Sequence, residues 1–268
     1  MSWRSFIDNA PSAEHAVEVY DELDELAESV GRFLAAGFEV GAPALVIATP
    51  EHWQRFTEEL AARTWDVCEL EESGLVTYRD AEGTLVAVMD SELPSAERFE
   101  QVVGSLIDEV TAQFPGQTIR AFGEMVGLLW QRCHKRAAIA LEELWNELQQ
   151  SRRFALLCGY QLDVFDLGVQ ADELPDIFRA HTHSRPAHDS SRFAAALDQA
   201  IAETVGPMEA ARIYLDVAEQ VPRSSLPRAQ AVLGWLSASN KPGAARILER
   251  TRLHYRRLRQ TPTATFAG

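Results

Sequence analysis

Glu124 sits in IRAFGEMVGLLW, Ile119–Trp130, directly after a glycine and between two apolar runs. A carboxylate in that setting is paired, protonated or open to a ligand, because an uncompensated buried charge costs on the order of several kcal/mol. If the preceding run is a parallel strand, Glu124 leaves its carboxyl end, where ligands bind in open α/β sheets. Gly123 would then permit close approach of the backbone, and His15, Tyr20, Trp130 and Tyr160 are candidate walls of the pocket. One orienting carboxylate among aromatic rings suits a small neutral or cationic organic molecule better than a phosphate. The plainer readings pair Glu124 with Arg120 or Arg132, place Trp130 in the core, and give His15 and Tyr20 to hydrogen bonds at strand ends.

Other chemistries find little support in the residues. The positions after Tyr20, where an ATPase of this topology would cradle phosphate, are Asp21, Glu22, Asp24 and Glu25, which repel it. No GxSxG, HExxH or GxGxxG motif occurs, and Cys133-His134 has no evident activating arrangement. His181-Thr-His183 could supply two metal ligands, but the pair reads as solvent-facing histidines at a helix end, so no metal site is expected. The three cysteines, Cys68, Cys133 and Cys158, have no zinc-like spacing and read as reduced thiols. With no secretory signal and no apolar stretch of spanning length, the expectation is a soluble cytoplasmic protein that does not engage membranes.

The elements that must position these residues alternate between strand-like and helical patterns. Ala16–Tyr20 is short and β-rich, and the helical stripe Leu23, Leu26, Val30, Phe33 and Leu34 follows it. Ala44–Ala48 is a continuous apolar run of the kind buried on both faces of a parallel sheet, with Thr49-Pro50 capping the next helix. A helix over about 95–114 feeds the opening segment, another over about 135–150 buries Leu141, Leu144, Trp145 and Leu148, and Phe154–Tyr160 is the next strand. The segment Leu75–Met89 fits either a hairpin turning at Asp80–Gly83 or a strand, an Asp80 N-cap and a short helix; propensity alone leans to the hairpin. The fold class is α/β, with a mainly parallel sheet flanked by helices.

After Ser190 the pattern is helical only, with segments at about 192–204, 208–220, 226–237 and 244–258, so a small all-α domain is expected at the C-terminal end. The charge changes at the same place. Residues 1–189 carry 14 Lys+Arg against 34 Asp+Glu, whereas residues 190–268 carry 11 against 6. An acidic body does not bind nucleic acid by itself, but a basic tail can reach DNA or an acidic partner. Asn240–Gln260 holds seven Lys/Arg and one Glu, with Lys241, Arg246, Arg250, Arg252, Arg256 and Arg257 as candidate contacts to nucleic acid or a protein partner. It resembles a helix-turn-helix of the Fis or PucR sort but lacks the usual glycine at the turn. The alternative is an amphipathic helix packed on its own domain.

RAFGEMVGLLW (Arg120–Trp130), LEELWNEL (Leu141–Leu148), FALLCGY (Phe154–Tyr160) and HTHSRP (His181–Pro186), in this order and spacing, resemble the MEDS family of sensory domains. The region around His15, Tyr20 and RFLAAGFEVGAPALVIAT is similar to the family's opening, so the likeness spans roughly residues 14–186. Here Arg132-Cys133-His134 replaces the family's acidic-Gly-Asn turn, and Thr182, Ser184 and Arg185 depart from its His-Ser-His-Val-Ile-Pro pattern. The resemblance implies a fold related to RecA/KaiC-type ATPases without the phosphate loop, the helical reading of Asp80–Met89, and sensing of small organic signals. His181 and His183 join the candidate ligand residues on that basis. The expected division is an N-terminal arm (1–13), a sensory domain (14–186), a linker (187–191), a helical domain (192–260) and a tail (261–268). The expected function is a non-enzymatic sensory regulator that responds to a small organic ligand or a protein partner and relays the signal through the helical domain. A DNA-binding regulator and a degenerate nucleotide-binding enzyme are the alternatives; no cofactor is indicated.

Overall fold

Eight short strands form where β-rich runs meet turn residues: β1 (His15–Tyr20), β2 (Ala44–Ala48), β3 (Val76–Asp80), β4 (Met89–Asp90), β5 (Leu93–Pro94), β6 (Ile119–Gly123), β7 (Phe154–Gln161) and β8 (His183–Arg185). In the computed structural model, which describes residues 3–166, 168–185, 190–220, 228–238 and 243–260, six of them make one parallel sheet in the order β3-β2-β6-β7-β1-β8. Strands β4 and β5 form a small antiparallel pair. By its internal packing the chain divides into two units, Met1–Leu162 with Asp176–Arg185, and Asp163–Pro175 with Pro186–Gly268.

Helices cover both faces of the sheet, which is why β1, β2 and β6 are buried along their whole length. On one face lie α1 (Trp3–Asn9), α2 (Leu23–Phe38), α3 (Pro50–Ala62) and α4 (Val67–Glu72), whose Phe6, Phe33, Phe56 and Leu70 pack on Ala16, Val46 and Phe122. Phe6 and Ile7 of α1 belong to the core of this face. The other face carries α5 (Ala81–Val88), α6 (Ala96–Phe99), a π-helical turn (Glu100–Gly104), α7 (Ser105–Gln113), α8 (Met125–Gln131) and α9 (Lys135–Gln149). Their Leu85, Ile107, Met125 and Trp145 meet Leu45, Ala121 and Leu156.

The ambiguous segment is strand then helix, as the family resemblance implied and propensity did not. Asp80 caps α5 by accepting from the Gly83 amide at 2.7 Å, and Leu85 and Val88 are then buried one turn apart. Arg120 points to the face of α1 and α2, where its guanidinium donates to the carbonyls of Phe33 (2.6 Å), Ile7 (2.7 Å) and Asp8 (2.9 Å).

A further helix, α10 (Leu174–Arg179), straddles the division between the units. The second unit otherwise holds a π-helical turn (Val169–Glu173), α11 (Ser190–Val205), α12 (Pro207–Gln220), α13 (Arg228–Ala238) and α14 (Ala244–Gln260). Helix α14 buries Ile247, Leu248, Thr251 and Tyr255 and leaves Arg246, Arg256 and Arg257 exposed. It is docked to α11: His254 Nε2 lies 2.9 Å from Glu203, and Tyr255 packs on Phe193.

Candidate functional site

The carboxyl ends of β2 and β6 meet at a topological switch point. The helix after β2, α3, packs on one face and leads outward to β3, whereas α8, after β6, packs on the other and leads towards β7. Ligands of open α/β sheets bind in such crevices, and Glu124 stands at this one. Its backbone amide donates to the Ile47 carbonyl at 3.0 Å, and its Oε2 accepts from the Thr49 amide at 2.8 Å. Its Oε1 lies 2.8 Å from His52 Nδ1 on the first turn of α3. Neither Arg120 nor Arg132 is its partner: Arg120 binds backbone carbonyls and Arg132 pairs with Glu82. The buried glutamate thus accepts from a helix N-terminus and has His52 within ion-pair distance of its other oxygen.

Aromatic rings surround this carboxylate. Tyr20 at the end of β1 meets His52 edge to face at 6.3 Å, and Trp53 stacks on Tyr78 at 5.0 Å. Burial, then the charges of Glu124 and Glu18, raise the Tyr20 pKa. Burial, then Asp80 and Glu124, raise that of Tyr78. Both hydroxyls therefore stay protonated donors at neutral pH. Among the described residues, the Tyr78 hydroxyl is buried and has no hydrogen-bond partner, which is uncommon for a native polar group and marks a place where a bound molecule could accept a hydrogen bond.

The other residues chosen from sequence fall elsewhere. Gly123 faces the opposite side of the sheet, where an added Cβ would meet Trp145 and Leu156 at ordinary contact distances of 3.5–3.6 Å, so no close backbone approach depends on it. His15 and Tyr160 are on that side as well. Trp130 packs edge to face on Tyr160 at 5.6 Å, with Lys135 over its ring at 5.5 Å. His183 lies apart from both groups, 2.9 Å from Glu14 and against Phe6.

His15 and Tyr160 belong instead to a buried cluster centred on Glu142. The Tyr160 hydroxyl donates to Glu142 Oε1 at 2.6 Å. His15 Nε2 lies 3.3 Å from Glu142 Oε2 and 3.3 Å from Cys158 Sγ, and His181 Nε2 lies 3.3 Å from Glu142 Oε1. The expectation of solvent-facing histidines fails at His181, whose side chain is 0% exposed because the turn after α10 tucks it beneath α9 and β7. Burial, reinforced by His181, lowers the His15 pKa to about 4. Burial pushes Glu142 up, but His181, His15 and the Tyr160 hydrogen bond outweigh it and hold the carboxyl at about 2. Near neutral pH the cluster contains an uncharged His15 and an ionised Glu142. Donor atoms of His15, Glu142, Cys158 and His181 all lie within 4.8 Å of one another.

Glu142 and Cys158 carried no assigned role in the sequence, although both sit in the segments that resemble the family. A signal existed: Glu142 shares the buried helical stripe of Leu141 and Trp145, and Cys158 alternates with Leu156 and Tyr160.

Both sites lie on the region that matches a known family. The family model for MEDS, the methanogen/methylotroph, DcmR sensory domain, matches residues 14–182. The chain belongs to the MEDS family. No curated protein matched the sequence. Membership gives the chain a sensory, regulatory role, and it places both the Glu124 crevice and the Glu142 cluster inside the MEDS region. Of the basic residues named from sequence, Arg246 and Arg256 are exposed on α14, Arg250 lies near Glu203, Arg252 pairs with Asp163, and Lys241 is outside the described residues. No helix among the described residues is long and apolar enough to cross a membrane.

Proposed function

We propose that this MEDS protein is a non-enzymatic sensory regulator whose Glu124 crevice receives a small neutral or cationic organic ligand, and whose helical unit passes the bound state to a protein partner. The observation that carries this reading is the buried, unpartnered hydroxyl of Tyr78, whose ring stacks on Trp53 and which feels the charge of Glu124 at the switch point of the sheet. A rigid carboxylate fixes the orientation of a polar or cationic group, and aromatic walls bury the remainder. The acidic side chains of Asp21 and Glu22 after β1 weigh against a nucleotide, and the nearby Arg55 is already paired with Asp24. The packing of α14 on α11 and the ion pair of Arg252 favour a protein-facing relay over a free recognition helix.

Native mass spectrometry of the purified chain tests the ligand. A copurifying organic molecule of defined mass is expected, and Tyr78→Phe, which removes only the orphan hydroxyl, should lower its occupancy several-fold without changing the fold. Unaltered occupancy in Tyr78→Phe would move the site elsewhere. Magnesium-dependent binding of ATP in calorimetry would replace the reading with a nucleotide one. DNA affinity that falls with salt and with Arg246→Ala/Arg256→Ala would make the output a transcriptional one.

A further inference from the structure

On the face of the sheet away from Glu124, His15 of β1, Glu142 of α9, Cys158 of β7 and His181 after α10 bring their donor atoms within 4.8 Å of one another. We propose that these four side chains bind a divalent metal ion of the zinc class, a site independent of the ligand crevice. Three observations lead there. The first is spacing. Tetrahedral zinc has Zn–N distances of about 2.0–2.1 Å and Zn–S of about 2.3 Å, so its ligand atoms stand roughly 3.3–3.7 Å apart. The separations here are 3.3 Å for His15 Nε2 to Cys158 Sγ, 3.3 Å for His15 Nε2 to Glu142 Oε2, 3.3 Å for His181 Nε2 to Glu142 Oε1 and 3.8 Å for Cys158 Sγ to Glu142 Oε2. All four ligands lie within 4.8 Å of one another, close enough for a small movement of the side chains to close on an ion.

The second observation is the state of each imidazole. Asn146 donates its Nδ2 to the Ala180 carbonyl at 3.1 Å, which turns its Oδ1 to His15 Nδ1 at 2.9 Å. His181 Nδ1 lies 2.6 Å from the Ile177 carbonyl, which can only accept. Both histidines therefore carry a proton on Nδ1, and the atom each turns towards the carboxylate oxygens of Glu142 is Nε2. Lone pairs facing lone pairs in a dry core repel one another unless a cation, a metal ion or added protons, lies between. His181 Nε2 is in fact buried without a hydrogen bond. Fixing a ligand histidine through its other nitrogen is the usual outer shell of a metal site, and Tyr160 does the same for Glu142.

The third observation is charge. A divalent ion with one carboxylate, one thiolate and two neutral imidazoles sums to zero, which removes the penalty of burying Glu142 in an apolar core. Binding displaces the thiol proton of Cys158 to solvent and forms the metal–sulfur bond, with no change of oxidation state. Softness of the donor set favours zinc, or cobalt as its spectroscopic substitute, over magnesium or calcium. All four side chains are closed to solvent, so the site is of the structural kind, joining β1, α9, β7 and the segment that leads into β8.

The test uses the full chain with Cys68→Ser and Cys133→Ser, which leaves Cys158 as its single thiol, expressed in cobalt-supplemented minimal medium. Expected are one cobalt per chain by elemental analysis and a thiolate-to-cobalt charge-transfer absorption. Cys158→Ser should abolish that absorption, and His181→Gln should weaken metal retention against a chelator by tenfold or more. A parent protein that carries no cobalt, or carries it without the thiolate band, overturns the proposal whether or not the variants fold. So does retention unaffected by Cys158→Ser in a protein of unchanged circular dichroism.

Discussion

At Glu124 a carboxylate ties the start of α3 to the end of β6, and substitution can separate that structural tie from ligand recognition. Gln keeps an oxygen for the Thr49 amide and offers His52 an amide donor, so Glu124→Gln should unfold within about 1 kcal/mol of the parent in urea. Ala leaves the Thr49 amide unsatisfied and should cost about 1–3 kcal/mol. If the crevice recognises a ligand through charge, Glu124→Gln loses ligand response while keeping stability. A stable Gln variant with full response would leave the glutamate a purely structural tie. The position of Glu124 was readable from its sequence, since a strand followed by glycine and a carboxylate places that carboxylate at a carboxyl end. The grouping of the walls was not fully used. His15 and Tyr20 are five residues apart on one strand, so they face opposite sides of the sheet, and Tyr160 shares the side of His15 through the pairing of β1 with β7. Parity alone separates the two sites. Thr49, His52 and Tyr78 reach Glu124 through the β2–β3 and β2–β6 pairings, and no single segment displays such neighbours.

Elements were legible where a periodic apolar stripe and its caps agreed, as in β2 with the Thr49-Pro50 start of α3. Local propensity misled at Asp80–Met89, because alternation over so short a run also fits a helix whose buried residues are one turn apart; packing of Leu85 and Val88 under α6 and α8 decides it. Helix α8 shows a constraint of another kind. A Cβ on Gly127 would stand 2.7 Å from the carbonyl oxygen of Gly159 on β7, and backbone cannot swing aside as a side chain can. Gly127→Ala should therefore push α8 off the sheet and destabilise the protein by about 1–3 kcal/mol, measured by urea unfolding. Ala at Gly41, whose added Cβ meets nothing within 4 Å but whose φ is +71°, is the useful comparison, since its cost is backbone strain alone. A Gly127→Ala protein as stable as the parent would show that the close approach of α8 to β7 imposes no constraint of its own.

For the whole molecule, the chain passes from the first unit at Leu162, supplies Asp163–Pro175 to the second, returns for Asp176–Arg185 and leaves again. The sequence suggested a single crossing near 187–191, because the polar, proline-bearing stretch Arg185–Ser191 looks like a linker, and a short excursion in mid-chain leaves no mark in composition. Within the second unit this excursion is part of the core. The Phe165 ring lies 5.7 Å from Phe193 and 5.8 Å from Tyr255, Arg252 pairs with Asp163, and the Gln230 amide donates to Gln170. Val164 and Leu174 are buried with it. A protease that cuts between Arg185 and Arg192 therefore severs the chain without freeing the helical unit, because the N-terminal fragment still holds 163–175 in that unit's interior. After limited proteolysis the two fragments should elute together from a size-exclusion column in native buffer, and also in high salt, since apolar burial and not charge retains them. They should separate only once urea unfolds the helices. Fragments that part in native buffer would show that the helical unit closes its core without residues 163–175.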